Sequence, residues 1–189
     1  MLLFANGIYS VSENETKKLN STEYKSPETN YHLNVTYDRQ DTYYTCGPSS
    51  LKMAFSVYGL DLDEKWLASA AKTTSKGTEQ DDLINATETV NSVYGTNLSA
   101  HSEKFTGWEK LNSYVSKKIP VILYVHSWYN SDGGHYVVLT GVDEQNGYAS
   151  IADPSGGVRN VPLPELEDRM QWIVDNHNVA GTVTPIMNN

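Results

Sequence analysis

The chain has 189 residues and a formal net charge of −9, a length that fits one domain with a sizeable core. The acidic balance argues against nucleic acid or an anionic membrane surface as partner, and it permits a basic substrate. No segment approaches the roughly 20 apolar residues of a membrane span, "MLLFA" is too short for the apolar stretch of an export signal, and a single cysteine excludes an internal disulfide.

Residues 1–30 are polar and irregular and read as a linker or N-terminal arm. "YHLNVTY" reads as a short strand. A helix begins at Cys46, with Pro48 in its first turn and an apolar stripe of Leu51, Met53, Ala54, Val57 and Tyr58; Gly59 ends it. A second helix is expected over about Asp63 to Ala71. A third opens at Thr78, where "TEQD" has the form of a capping box, and ends near Gly95. A fourth opens at Thr106 ("TGWE") and ends before Pro120.

The character then changes. "PVILYVHSW" is a buried strand by its β-branched run. "GGHYVVLTGVD" and "GYASIAD" read as two strands joined by "EQNG". "GGVRNVPL" reads as a further strand, "PELEDRMQWIVD" as a late helix and "AGTVTPI" as a last strand. Helices first and an antiparallel sheet second make an α+β layout of two lobes.

Cys46 falls at a helix N-terminus, where unpaired N–H groups and the positive end of the helix dipole favour thiolate, the nucleophilic form. Read alone, it is equally a small buried residue. Attack by a thiolate on an amide creates an oxyanion that needs donors. The Cys46 N–H and the side chain of Gln40, six residues earlier, are candidates. A thiolate nucleophile also needs an imidazole. His135 starts a strand behind two glycines; His126 reads as a core or rim residue, and His32, His101 and His177 as exposed. Asp153 closes the strand that follows. A hairpin turning near Glu144 sets it opposite His135, although "NG" at Asn146–Gly147 would shift that register. Asp153 before Pro154 is equally a turn aspartate. Tyr43, Tyr44, Trp128 and Tyr136 are candidate cleft-lining aromatics, with core packing as their ordinary alternative. No His/Cys cluster has zinc spacing. Asp61, Asp63 and Glu64 ("DLDE") form a weak Ca²⁺ candidate and read more readily as a solvated helix start.

A glutamine, five residues, "CGPSSLKM", then "GHYVVLTGV", then "IADP" resembles the papain-like cysteine peptidases, in particular the bacteriocin-processing (double-glycine leader) group. The likeness extends over about residues 38–160, and "KGTEQDDLI" also has counterparts there. It implies a papain-like cysteine peptidase fold with a helical lobe packed on an antiparallel sheet. It implies Cys46 as nucleophile, His135 as base, Asp153 as the orienting acid and Gln40 as oxyanion donor, with residues 31–189 as the peptidase domain. "YYTCGPSSL" and "GGHYVVLTGVD…IADPSGG", in an asparagine- and tyrosine-rich chain, are most similar to the pseudomurein endoisopeptidases of methanogenic archaea and their proviruses. That likeness implies cleavage of isopeptide cross-links in the extracellular archaeal wall, by a monomer needing no cofactor for the chemistry, with Ca²⁺ or another divalent cation as a stabiliser. Residues 1–30 would then be the tail of a wall-binding region. Leader or precursor processing, and a non-catalytic peptide-binding domain of the same fold, are the alternatives. A secreted enzyme and a lysin released from the cytoplasm fit equally.

Overall fold

Six strands form one antiparallel sheet in the computed structural model, which describes residues 32–189. The expected arm over residues 1–30 lies outside the described residues. The strands are β1 (Leu98–Ala100), β2 (Val121–His126), β3 (Gly134–Asp143), β4 (Tyr148–Asp153), β5 (Gly157–Pro162) and β6 (Val183–Asn188). They lie in the order β1-β6-β2-β3-β4-β5. The helices are α1 (Cys46–Ser56), α2 (Glu64–Ala70), α3 (Gln80–Tyr94), α4 (Trp108–Ser116) and α5 (Leu163–Asn176).

The helices cover both faces of the sheet. Leu51 and Phe55 of α1, Leu67 of α2 and Leu83 of α3 pack on the face carrying Ile122, Tyr136, Val138, Ala152 and Ile186. Leu111 of α4 and Leu166 and Met170 of α5 pack on the other, against Val121, Leu123, Val137, Leu139 and Ile151. Burial on both faces explains why β2 and β3 read as continuous apolar runs rather than alternating ones. Each of these fully buried side chains stabilises the fold by roughly 1.5–3 kcal/mol. The central helix α1 is buried nearly all round, including Ser49 and Ser50.

Four expectations change. "YHLNVTY" forms no strand over 32–37. The strand it approaches, β3, is already paired on both edges by β2 and β4. Only one ladder-like bond is left to it, from Leu33 N–H to Thr140 O at 2.6 Å. The capping box at Thr78 does not form: α3 starts at Gln80 with Glu79 as N-cap. The Thr78 hydroxyl pairs instead with that of Thr73 at 2.8 Å. The fourth helix opens at Trp108 behind Gly107. A three-residue edge strand, β1, pairs with β6 where none was expected, being too short to show a period.

One irregularity matters for function. The β3–β4 register runs Gly141↔Ser150, then Leu139↔Ile151 and Val138↔Ala152, leaving Thr140 as a bulge. The bulge keeps Val142 and Leu139 in the same core. Continued by one residue, the shifted register sets Asp153 opposite Val137, hence on the face of His135 two residues along. In an unbroken ladder Asp153 would oppose residue 138, and His135 would point to the other face.

Candidate active site

Cys46 is the first residue of α1 and is 8% exposed. No acidic residue in the first turn offsets the positive pole of the helix there. Its neighbour Gly47 faces Thr78 so closely that a Cβ would sit 2.7 Å from the threonine Oγ1. Thr78 is pinned by its bond to Thr73. Gly47→Ala should therefore move the start of α1, with about 1–3 kcal/mol of lost stability from overpacking. Slower iodoacetamide alkylation of Cys46 and a lowered unfolding midpoint would show it.

His135 and Asp153 meet in the buried end of β3 and β4. The imidazole Nε2 lies 2.7 Å from Asp153 Oδ1. A carboxylate only accepts, so Nε2 carries the proton and Nδ1 is the nitrogen left for the thiol. Burial alone would push the imidazolium down. The hydrogen bond with Asp153, then the influence of the Cys46 thiol, and the charges of both outweigh it and raise His135 to about 9. Burial likewise works against the Asp153 carboxylate, but His135, Arg159 and the Ser155 N–H hold it well below the usual carboxylate range. The fully buried carboxylate accepts from four groups: His135, Tyr129 Oη at 2.9 Å, an Arg159 NH2 group at 2.9 Å and Ser155 N at 2.9 Å.

Three of those partners were not anticipated. The signal for Arg159 lies in the turn "PSGG": it pairs Ile151 with Arg159, which places Arg159 diagonally beside Asp153 on the same face. Trp128 lies between the guanidiniums of Arg159 and Arg169, at 4.1 and 4.3 Å from the ring centre, and donates to Glu165 at 2.7 Å. Its ring thus braces the arginine that holds Asp153.

Gln40 reaches the site from the irregular segment before α1. Its backbone N–H donates to Pro154 O at 3.2 Å, and its Oε1 accepts from Ser155 Oγ at 2.8 Å. Its Nε2 donates to Thr42 O at 2.6 Å, which uses one of two protons and leaves the other for an oxyanion. The turn after Asp153 thus holds both the carboxylate and the amide donor.

The aromatic candidates separate. Tyr43 is 82% exposed and meets Tyr44 edge-on at 5.0 Å. Tyr136 is buried, stacks on Tyr124 at 4.5 Å and donates to Thr78 O at 3.3 Å. Together with Thr78, Glu79, Asp81, Tyr124 and His177 it walls a cavity of about 630 Å³. Among the described residues neither Lys nor Arg lines that cavity. His177, expected to be exposed, is half-buried against Tyr124 and Trp172.

The Ca²⁺ candidate does not assemble. The Asp63 side chain caps α2 by accepting from Trp66 N at 2.8 Å. Glu64 is buried and accepts from Asp41 N, while Asp61 is exposed. Among the described residues no three His, Cys, Asp or Glu side chains converge on a metal position.

A family model for peptidase C39-like proteins matches residues 32–178. The chain belongs to this C39-like peptidase family. None of the curated proteins matches it. The C39-like chain is similar to a double-glycine-motif protease from an AMS/PCAT transporter, solved with its leader peptide: TM-score 0.63, 21% identity, 85% of this chain and 96% of that one covered. It is similar to the peptidase domain of Streptococcus ComA, a bifunctional transporter of a quorum-sensing pathway, at TM-score 0.60 and 18% identity over 82% and 97% of the two chains. A C39-like peptidase from Bacillus anthracis matches at TM-score 0.62 and 16% identity over 83% and 96%. At these identities the likeness shows the fold: a papain-like mixture of helices and antiparallel sheet. Family and fold together indicate a cysteine peptidase. No helix among the described residues is long and apolar enough to cross a membrane.

Proposed function

We propose that this C39-like domain is a cysteine endopeptidase that opens isopeptide cross-links of the pseudomurein wall with Cys46, His135, Asp153 and Gln40. The observation that carries the chemistry is the committed imidazole. With Nε2 held by Asp153, only Nδ1 is free to take the thiol proton.

The Cys46 thiolate attacks the scissile carbonyl carbon, and the C=O π pair moves to oxygen. The Gln40 amide and the Cys46 N–H receive that oxyanion, each contributing on the order of 3 kcal/mol. His135, as imidazolium, protonates the leaving amine as the C–N bond breaks. Neutral His135 then takes a proton from water, which attacks the thioester and frees the thiol. Asp153 keeps the ring in the working tautomer throughout.

The wall assignment rests on the motif text around Cys46, His135 and Asp153. The cavity beside the nucleophile is compatible with it, since its charged walls are the carboxylates Glu79 and Asp81, which suit a basic group such as a lysine amine. Cleavage of a leader peptide, such as the one solved with the similar double-glycine-motif protease, is the alternative for the same chemistry. Incubation with purified pseudomurein and, separately, with a double-glycine leader peptide distinguishes them. Release of wall peptides with new lysine ε-amino groups, and an intact leader, is the expected result.

The imidazolium must be present both to pair with the thiolate and to protonate the amine. His135, held at about 9, loses its proton as pH rises through that value. The rate should therefore be retained at neutral pH and fall along an alkaline limb near 9. A pH profile of kcat/KM measures it, and that limb should be missing from iodoacetamide alkylation, which needs only the thiolate.

A further inference from the structure

The segment joining the oxyanion donor to the nucleophile, Gln40 to Cys46, has no regular structure before α1. It is held from behind by one side chain. Glu64, the first residue of α2, is only 5% exposed. Its Oε1 and Oε2 accept from Asp41 N at 3.0 and 3.3 Å. Asp41 follows Gln40, and Thr45 precedes Cys46. Between them, Thr42 closes the ring: its N–H donates to Thr45 Oγ1 at 3.0 Å, and its carbonyl accepts from the Gln40 amide.

We propose that Glu64 is a positioning residue that sets the Gln40 amide relative to Cys46, so that the oxyanion hole is assembled before substrate arrives. The inference rests on the peptidase reading given above.

An acidic residue at a helix start often serves the dipole alone, from an exposed position. Glu64 is not so placed. It is buried beside a second carboxyl, Asp38, which pairs with Lys52 at 2.7 Å. Burying two carboxyls against one ammonium is costly, and an apolar residue would fill the α1–α2 contact at lower cost. Burial first, and the contact with Asp38, hold Glu64 up at about 7 against the hydrogen bond from the Asp41 N–H. The group that gains from the carboxyl is the Asp41 N–H, directly after Gln40.

The test uses the full chain and two probes of Cys46. N-acetylglycinal adds to the thiol, forming an S–C bond and turning the carbonyl oxygen into the oxyanion of a thiohemiacetal, so its affinity reads the oxyanion hole. Iodoacetamide loses iodide to the thiolate and reads only the nucleophile. Glu64→Leu should weaken aldehyde binding at least tenfold and change alkylation less than threefold. Glu64→Gln, whose carbonyl still accepts from Asp41, should stay within threefold of wild type for both. In a Gln40→Ala background Glu64→Leu should cost nothing further, because the group it positions is gone. Glu64→Asp, which withdraws the carboxylate by one methylene, replaces Glu64→Leu if the latter does not fold, with at least threefold weakening expected. Unchanged aldehyde affinity, or equal losses with both probes, or additivity with Gln40→Ala, would overturn the proposal. Wild type that is alkylated yet ignores the aldehyde removes the oxyanion-hole reading together with this inference. Wild type inert to both removes the peptidase reading itself.

Discussion

His135→Ala is expected to lower kcat/KM by about 10²–10⁴, the range that a positioned general acid–base supplies. In the proposed mechanism the imidazole serves every proton transfer: it would take the thiol proton, give one to the leaving amine and take one from water. His126 is turned away, with its Nε2 bonded to Ser131 O at 2.9 Å and its ring stacked on Trp172 at 3.9 Å. The fold should survive, because Asp153 keeps Arg159, Tyr129 and the Ser155 N–H as partners. Alkylation of Cys46 at neutral pH should slow as well, since the thiolate loses its counter-ion. Rates within tenfold of wild type, on a folded variant, would contradict the assignment.

Asp153→Asn is expected to cost both activity and stability. The carboxylate is fully buried and accepts four hydrogen bonds. An amide in its place turns one oxygen into a donor that faces Arg159 or His135, which are donors themselves. Removing one partner of a buried ion pair costs about 3–5 kcal/mol. Arg159 is about a third exposed, so the lower end, about 3 kcal/mol, is expected. The rate should fall by about 10³, because the imidazole loses its tautomer and its orientation. Urea unfolding and kcat measure the two effects. The pH dependence of stability supplies a second reading. His135 is raised from 6.5 to about 9 by folding, so its contribution is complete below 6.5 and lost as pH rises to about 9. Asp153 is lowered from 3.8, so its contribution is complete above that value and lost as pH falls below it. The joint contribution of these two groups should therefore be greatest between about 4 and 6.5, and the loss from 6.5 to 9 should be much reduced in Asp153→Asn.

Five of the six strands, the five helices and the placing of Cys46 at a helix start were legible in the sequence, because each follows from a local period or a local stop. What depends on register was not. The meeting of His135 and Asp153 requires a bulge at Thr140, and nothing in "VVLTGVD" marks which residue drops out of the ladder. Arg159 could have been found by counting two residues on from "PSGG" and pairing back across the turn. Tyr129 could not, because its loop between β2 and β3 carries no period. Glu64 was misread as part of a solvated helix start. Its burial comes from the return of the Gln40 segment over α2, a long-range event. Trp128 was read as a cleft aromatic from its position after a strand. Two arginines forty-one residues or fewer away in sequence cover its faces instead. The helices on both faces of the sheet likewise follow from chain reversal after β1 and β5, which the two-lobe layout of helices first and sheet second does not convey.

The central claim is that Cys46 opens peptide cross-links of the pseudomurein wall. Release of peptides from purified wall under reducing conditions tests it most directly, with wild type and Cys46→Ala side by side. The account predicts release with new lysine ε-amino groups by wild type and none by Cys46→Ala. Equal release by both would contradict the nucleophile, and no release by wild type with a still-reactive thiol would contradict the substrate.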